Sequence, residues 1–301
     1  MKKKYILPTL CIVSLAQGME VAKPTRGPQE WDAQAYAQGN RIQEEAALLF
    51  LHESGINFTN KTILDVGCGT GNITAMLAQT AYCVHGIDAS KNMIEYAQTH
   101  ENRDNLTFEH CFAEDFITDK KYDCALSIFC LHWIKDKQKA FESINKSLKI
   151  NGEFFGTIFT SSDPTPLGIA VFKKLIDTLQ PTCSFLQNTT MTPESSLNRY
   201  ILSDEENKEI MEKSGLEIIT YEKKSPQHIF KNREELAAFQ RPVAMTRPIF
   251  KQLLEENREW LFNEYIDAFL AKLEKDENDH YVYQGNLTTV IHARKVAEIV
   301  Q

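Results

Sequence analysis

The stretch Ile63-Leu64-Asp65-Val66-Gly67-Cys68-Gly69-Thr70-Gly71-Asn72 constrains the chain more than any other. An apolar run enters three glycines at alternate positions, and a helical pattern begins at once. This is how a strand delivers its carboxyl end into a sharp turn and a helix, the opening unit of a parallel sheet flanked by helices. Glycine there permits positive φ and removes Cβ atoms that would stand between the strand end and a ligand. The register is GxGxG, because the residue two beyond Thr70 is Asn72, so the dinucleotide fingerprint GxGxxG is not met. No Lys-Ser/Thr pair follows, which disfavours a phosphate-binding P-loop.

The rest of the chain continues the alternation. Candidate strands are Thr62 to Val66, Cys83 to Asp88, Leu106 to Cys111, Tyr122 to Phe129 and Glu153 to Phe159, with helical stretches starting at Asn72, Ser90 and Lys135 between them. Runs such as Ala125-Leu126-Ser127-Ile128-Phe129 are continuously apolar, as strands covered on both faces require. The second strand ends in Asp88, about 20 positions after the first glycine, the spacing at which a carboxylate meets a ribose diol. An acid before a helix is also an ordinary N-terminal cap, and it is the pairing with the glycine loop that points to a nucleoside ligand.

Beyond Thr160 the pattern changes. Ser161 to Pro166 reads as a loop, Gly168 to Leu179 as an amphipathic helix, and the residues through Asn198 as a polar segment. Asp204 to Ser214 reads as a helix stopped by Gly215, and Leu216 to Tyr221, extending toward Phe230, as a sixth strand. From Ile249 to Lys275 apolar residues recur at helical spacing, predicting one long helix, and Tyr281 to Ala293 predicts a terminal strand bent at Gly285-Asn286. The organisation that follows is a leader at 1–28, a core at 29–160, a helical cap insertion at 161–215, and a C-terminal part at 216–301 that completes the sheet and adds a cap helix. The fold class is α/β: a doubly wound, mostly parallel sheet with a helical cap.

Charge excludes one class of partner. With 33 basic against 41 acidic residues the formal charge is −8, and no Lys/Arg block occurs past the first few residues, so a nucleic-acid face is not favoured. Seven cysteines (Cys11, Cys68, Cys83, Cys111, Cys124, Cys130, Cys183) are scattered without metal-ligand spacing and read as buried free thiols. Lys2, Lys3 and Lys4 precede an apolar stretch from Tyr5 to Ala16, followed by Ala16-Gln17-Gly18. This reads either as a secretory signal peptide or as a leader with a chance lysine cluster, the latter favoured by Pro8 inside the apolar run. The stretch is too short to span a bilayer, which needs about 20 apolar residues.

The segment LDVGCGTG with GIDAS downstream resembles the class I S-adenosylmethionine-dependent methyltransferases, over Trp31 through Phe159. Within them, Trp31 to Tyr36, Asn40 with Gln43, and Phe129-Cys130-Leu131-His132-Trp133-Ile134 are similar to the small-acid carboxyl methyltransferases, the trans-aconitate and juvenile hormone acid enzymes; Glu234 to Lys295 is similar more loosely. The resemblance implies a Rossmann-like methyltransferase fold with its last strand antiparallel, and S-adenosylmethionine as cofactor. It implies that Asp65, Gly67, Cys68, Gly69 and Gly71 surround the methionine part, that Asp88 with Ala89 meets the ribose, and that Ala113 and Glu114 lie beside the adenine. It further implies that Gln43 and Trp133, with His132 as a third candidate, meet the acceptor carboxylate.

Two departures stand out. Many relatives carry Asp where this chain has Phe112, which hands adenine recognition to a backbone carbonyl, Glu114 or Asp115, and Asn151-Gly152 stands where Pro-Gly-Gly is usual. The implied function is O-methylation of a small or medium organic acid. A carboxylate with pKa near 4 is already ionised at neutral pH, so no general base is required. Competing readings remain: Trp133 as a core aromatic, Gln43 as a solvated helix residue, and His132 as an ordinary buried histidine. A malonyl carrier-protein methyltransferase is the alternative enzyme, with Lys223, Lys224, Lys231 and Arg233 as its docking patch, and a non-catalytic cofactor-binding scaffold is the alternative class. Dependence on an intracellular cofactor, together with free thiols, favours the cytoplasm over secretion.

Overall fold

A computed structural model of the chain describes residues 31–181, 200–245 and 259–296. The leader, the linker at Lys23 to Pro28, the polar segment up to Asn198, the stretch Ile249 to Arg258, Cys11 and Cys183 lie outside the described residues.

Two helices, α1 (Ala33–Gly39) and α2 (Arg41–Ser54), precede β1 (Thr62–Val66), and the core then alternates: α3 (Asn72–Leu77), β2 (Cys83–Asp88), α4 (Lys91–His100), β3 (Leu106–His110), β4 (Tyr122–Ser127), α5 (Lys137–Ser147) and β5 (Leu148–Ile158). The later elements are α6 (Leu167–Leu179), α7 (Asp204–Lys213), β6 (Leu216–Lys224), β7 (Gln227–Phe230), α8 (Arg233–Met245), α9 (Glu259–Leu270), β8 (Glu274–Lys275), β9 (Tyr281–Gln284) and β10 (Thr288–Lys295). Side chains start the helices where the sequence offers them. Ser90 accepts from the Met93 amide, Asp136 from Lys139, and Ser203 with Glu206 forms a reciprocal capping box at α7.

Seven strands form one sheet in the order β3-β2-β1-β4-β5-β10-β6. β1, β2, β3, β4 and β5 run parallel, and β10 is inserted antiparallel to both β5 and β6. This is the doubly wound, mostly parallel sheet that the sequence predicts, with its last strand antiparallel. The side-chain alternation of β1 divides its core: Leu64 and Val66 face a cluster with Phe141, Phe154 and Met211, while Ile63 faces another with Phe50, Ala75 and Phe155. The strand order reverses between β1 and β4, so their carboxyl ends open the crevice in which such sheets hold ligands.

Over that crevice sits a third apolar cluster, built from Phe172 of α6, Phe230 of β7, Leu236 of α8, Tyr265 and Phe269 of α9, and Tyr283 of β9. The cap is therefore more than helical. A three-stranded sheet, β7-β9-β8, closes it. Several sequence expectations are corrected here. The helix predicted to run to Lys275 ends at Leu270, because Glu274 and Lys275 pair with Val282 and Tyr281. The strand predicted from Leu216 toward Phe230 divides at Ser225-Pro226, with β6 in the main sheet and β7 in the cap. The terminal strand likewise divides at Gly285-Asn286 between the two sheets. The segment 161–215 divides too: α6 joins the cap cluster, whereas Met211 of α7 packs on the main sheet.

Candidate active site

A cavity of about 460 Å³ extends from the carboxyl ends of β1, β2 and β4 up into the cap. Two of the three glycines in the first turn serve the protein's own packing. A Cβ on Gly67 (φ +80°) would fall 2.2 Å from Cys130 Sγ, and one on Gly71 (φ +85°) would fall 2.7 Å from the Phe108 ring. Gly69 (φ +55°) differs. Its Cβ would meet only Tyr36 Cε1, at 4.0 Å, so it alone leaves a side-chain-free hollow beside a strand end. Of the three glycines, Gly69 alone therefore has open space where its Cβ would stand.

The Gly69 amide donates to Asp88 Oδ2 at 3.0 Å and the Ser90 amide to Oδ1 at 2.8 Å, so two backbone donors fix the carboxylate at the end of β2. Asp88 is not the helix cap, a place that Ser90 takes, and it lines the cavity. Asp65, 3% exposed, accepts from Thr74 Oγ1 at 2.7 Å. Burial, with Asp88 adding to it, pushes its pKa up to about 6, while the Thr74 bond pulls the other way. Asp65 and Cys68 line a smaller adjoining hollow of about 60 Å³, which shares Gln43, Gly67 and Gly69 with the large cavity. Gly71 lines neither. Burial raises the pKa values of the Cys68 and Cys130 thiols, so both are inert apolar wall at neutral pH.

At the end of β4 the chain turns at Phe129, whose φ of +52° is rare for a bulky residue. Its amide donates to Thr157 Oγ1 at 2.7 Å, one of the contacts that hold it there. The strained corner leads directly into a 3-10 turn over Leu131–Trp133 and presents both His132 and Trp133 to the cavity. Trp31 packs edge-on against Trp133 at 5.4 Å and against Tyr36 at 5.5 Å, closing an aromatic wall. His132, 1% exposed, lies 4.6 Å from the Phe159 ring and 5.3 Å from Trp133.

Gln43 reaches the cavity from α2, and the Tyr36 hydroxyl donates to its Oε1 at 2.8 Å. The amide is thereby turned so that its NH₂ donors are left for a ligand. Ala89, Ala113 and Glu114 line the same cavity, and Phe112 beside them contributes a hydrophobic face. Asp115 does not line it. The cap supplies residues that no motif announced: Tyr200, His228, Phe239, Tyr283 and Asn286. The one local signal was the Gly285-Asn286 dipeptide, readable as a turn but not as a wall.

Acidic groups and one open glycine suit hydroxyl and ammonium donors, and oppose a diphosphate. Among the described residues no cluster of His, Cys, Asp and Glu could hold a metal ion, and no helix is long and apolar enough to cross a membrane. Three of the four residues of the suggested carrier-protein docking patch, all but Lys231, are held in ion pairs. Lys223 is paired with Asp163 and Asp204, Lys224 with Glu53, and Arg233 with Asp267.

The fold is the Rossmann-like fold of the class I S-adenosylmethionine-dependent methyltransferases. Residues 64–156 match the family described as a methyltransferase domain. A protein of Invertebrate iridescent virus 6, named as a methyltransferase, is 34% identical over 127 residues, 42% of this chain and 47% of that one. The juvenile hormone acid O-methyltransferase of Bombyx mori is 27% identical over 257 residues, 79% of this chain and 85% of that one. A structure of Haemonchus contortus phosphoethanolamine N-methyltransferase 2 in complex with S-adenosyl-L-methionine superposes with a TM-score of 0.53 at 20% identity, over 88% of this chain and 57% of that one, a likeness of fold. The chain spans about half the length of the viral relative and most of the silkworm one. It carries an S-adenosylmethionine-dependent methyltransferase domain, and S-adenosylmethionine is its cofactor.

Proposed function

We propose that the chain transfers a methyl group from S-adenosylmethionine to the carboxylate of a small or medium organic acid. The observation that carries this reading is the oriented amide of Gln43. Fixed by Tyr36, it offers donors to an anion in the cavity that the Trp31 and Trp133 rings also line, next to the strand ends. The name of the silkworm relative, aligned over 257 residues, points the same way.

The cofactor supplies a methyl group activated by a sulfonium for in-line displacement. Asp88 and the Gly69 hollow hold its nucleoside and methionine parts, with Asp65 in the adjoining hollow and Ala89, Ala113 and Glu114 along the purine. Gln43 would donate to one acceptor oxygen and Trp133 would pack on the carboxylate's flank, which leaves the other oxygen to take the methyl group. His132 shapes the wall between Trp133 and Phe159. The Trp31, Tyr36 and Trp133 rings exclude water, which sharpens the attraction between the opposite charges, and their faces favour a cation. No residue has to move a proton, since the acceptor is ionised beforehand.

The test separates transfer from cofactor binding. Gln43→Ala and Trp133→Ala should each lower kcat by about tenfold or more, the cost of one lost hydrogen bond or packing contact in the transition state. The affinity for S-adenosylhomocysteine, measured by calorimetry, should stay near that of the unaltered chain. Undiminished turnover in both variants would remove this acceptor pocket.

A further inference from the structure

The cap end of the cavity carries a second polar pole that methyl transfer does not use. Asn286, on the connection between β9 and β10, lines the cavity together with His228 of β7. The Tyr283 hydroxyl donates to Asn286 Oδ1 at 2.7 Å, repeating in the cap the arrangement of Tyr36 and Gln43 beside the core. In both places a tyrosine occupies the amide oxygen and leaves NH₂ donors for whatever enters. His228 packs against Phe239 and Tyr283, with ring centroids 6.0 and 5.8 Å away, and burial pulls its pKa down to about 4, so it is a neutral imidazole at pH 7. Gly285 fixes this corner. A Cβ there would fall 2.7 Å from both His228 Nε2 and the Pro226 carbonyl, so the chain closes over His228 only with glycine.

We propose that Asn286, oriented by Tyr283 and flanked by His228, binds an uncharged acceptor oxygen, as of a ketone, ester or ether, at the end of the substrate remote from its carboxylate. The proposal rests on the carboxyl-methylation reading and narrows its substrate class to acids long enough to bridge Gln43 and Asn286. A distal carboxylate fits poorly, because it would give up water for Phe239, Tyr283 and neutral donors.

The test uses the full chain, a length series of straight-chain acids, and the matching methyl-ketone acids. Ester formation is followed by mass spectrometry, and binding to the chain saturated with S-adenosylhomocysteine by calorimetry. At one chain length the unaltered chain should favour the oxo acid by about tenfold in kcat/KM and in affinity, the worth of one good hydrogen bond. Asn286→Leu should bring that ratio close to one. Tyr283→Phe, which deletes a single hydroxyl and spares the fold, should reduce it partway. No preference at any length, or a ratio unmoved by both variants, overturns the distal site. Esters formed without preference remove only this proposal. If S-adenosylhomocysteine binds but no acid in either series is bound or esterified, the carboxylate reading falls with it.

Discussion

Replacing Gly67 and Gly69 separately by alanine should separate folding from cofactor binding in one loop. At Gly67 the new methyl would lie 2.2 Å from Cys130 Sγ and 2.4 Å from its Cβ, at a φ of +80°. The overlap involves a side chain's first two atoms, which cannot swing away without moving the β4 turn. Overpacking of this kind costs about 1–3 kcal/mol and left-handed backbone for a residue with a Cβ about 1–2 kcal/mol, so Gly67→Ala should lose about 2–5 kcal/mol. At Gly69 the nearest atom is 4.0 Å away, and only the backbone cost of about 1–2 kcal/mol applies. Urea unfolding of the cofactor-free chain should therefore show a large loss for Gly67→Ala and a small one for Gly69→Ala. Calorimetry with S-adenosylhomocysteine should show the reverse for Gly69→Ala, whose methyl fills the one open hollow. Adding Cys130→Gly to Gly67→Ala should restore the packing part and leave the backbone part. Equal destabilisation by the two single substitutions, or an unimpaired Gly69→Ala titration, would refute the division of labour between these glycines.

Other outcomes follow from the same geometry. Asp88→Ala should weaken S-adenosylhomocysteine binding by roughly 10- to 100-fold, the range for a hydrogen bond to a charged group, and calorimetry at unchanged pH checks it. Asp65 has a folded pKa of about 6 against an ordinary value of 3.8, so the folded chain keeps a proton that the unfolded chain has released between those values. Its contribution to stability is complete below about pH 4 and disappears as pH rises through 6, a difference of about 2–3 kcal/mol that Asp65→Asn should abolish. Urea midpoints at pH 5 and pH 7.5 for both proteins capture about 1.4 kcal/mol of this, the part still present at pH 5, and parallel pH dependence in the two would count against a proton on Asp65.

The core was legible because its signals are local. β1, the glycine turn and Asp88 lie in apolar runs with sharp punctuation, and a strand covered on both faces announces itself without reference to distant residues. The role of each glycine was not legible, since what Gly67 and Gly71 must avoid, Cys130 and Phe108, arrives from other strands. Gln43 and Trp133 were found through resemblance. Their periodicity alone left them as solvated helix residue and core aromatic. The cap was read least well. Whether Glu274 and Lys275 extend a helix or pair with β9 depends on a partner strand with no local mark, and propensity yields to such tertiary pairing. Asn286 shows the same limit, because its amide becomes informative only once Tyr283 is known to hold its oxygen.

The central claim is that this cavity puts a methyl group on a carboxylate oxygen. Incubating the purified chain with S-adenosylmethionine deuterated in its methyl group and a panel of organic acids, then resolving products by mass spectrometry, tests it directly. The account predicts a labelled methyl ester of at least one acid, formed in equal amount with S-adenosylhomocysteine and at a rate about tenfold or more lower in Gln43→Ala. Release of S-adenosylhomocysteine with the label on nitrogen or carbon of an acceptor, and on no carboxylate, would contradict it.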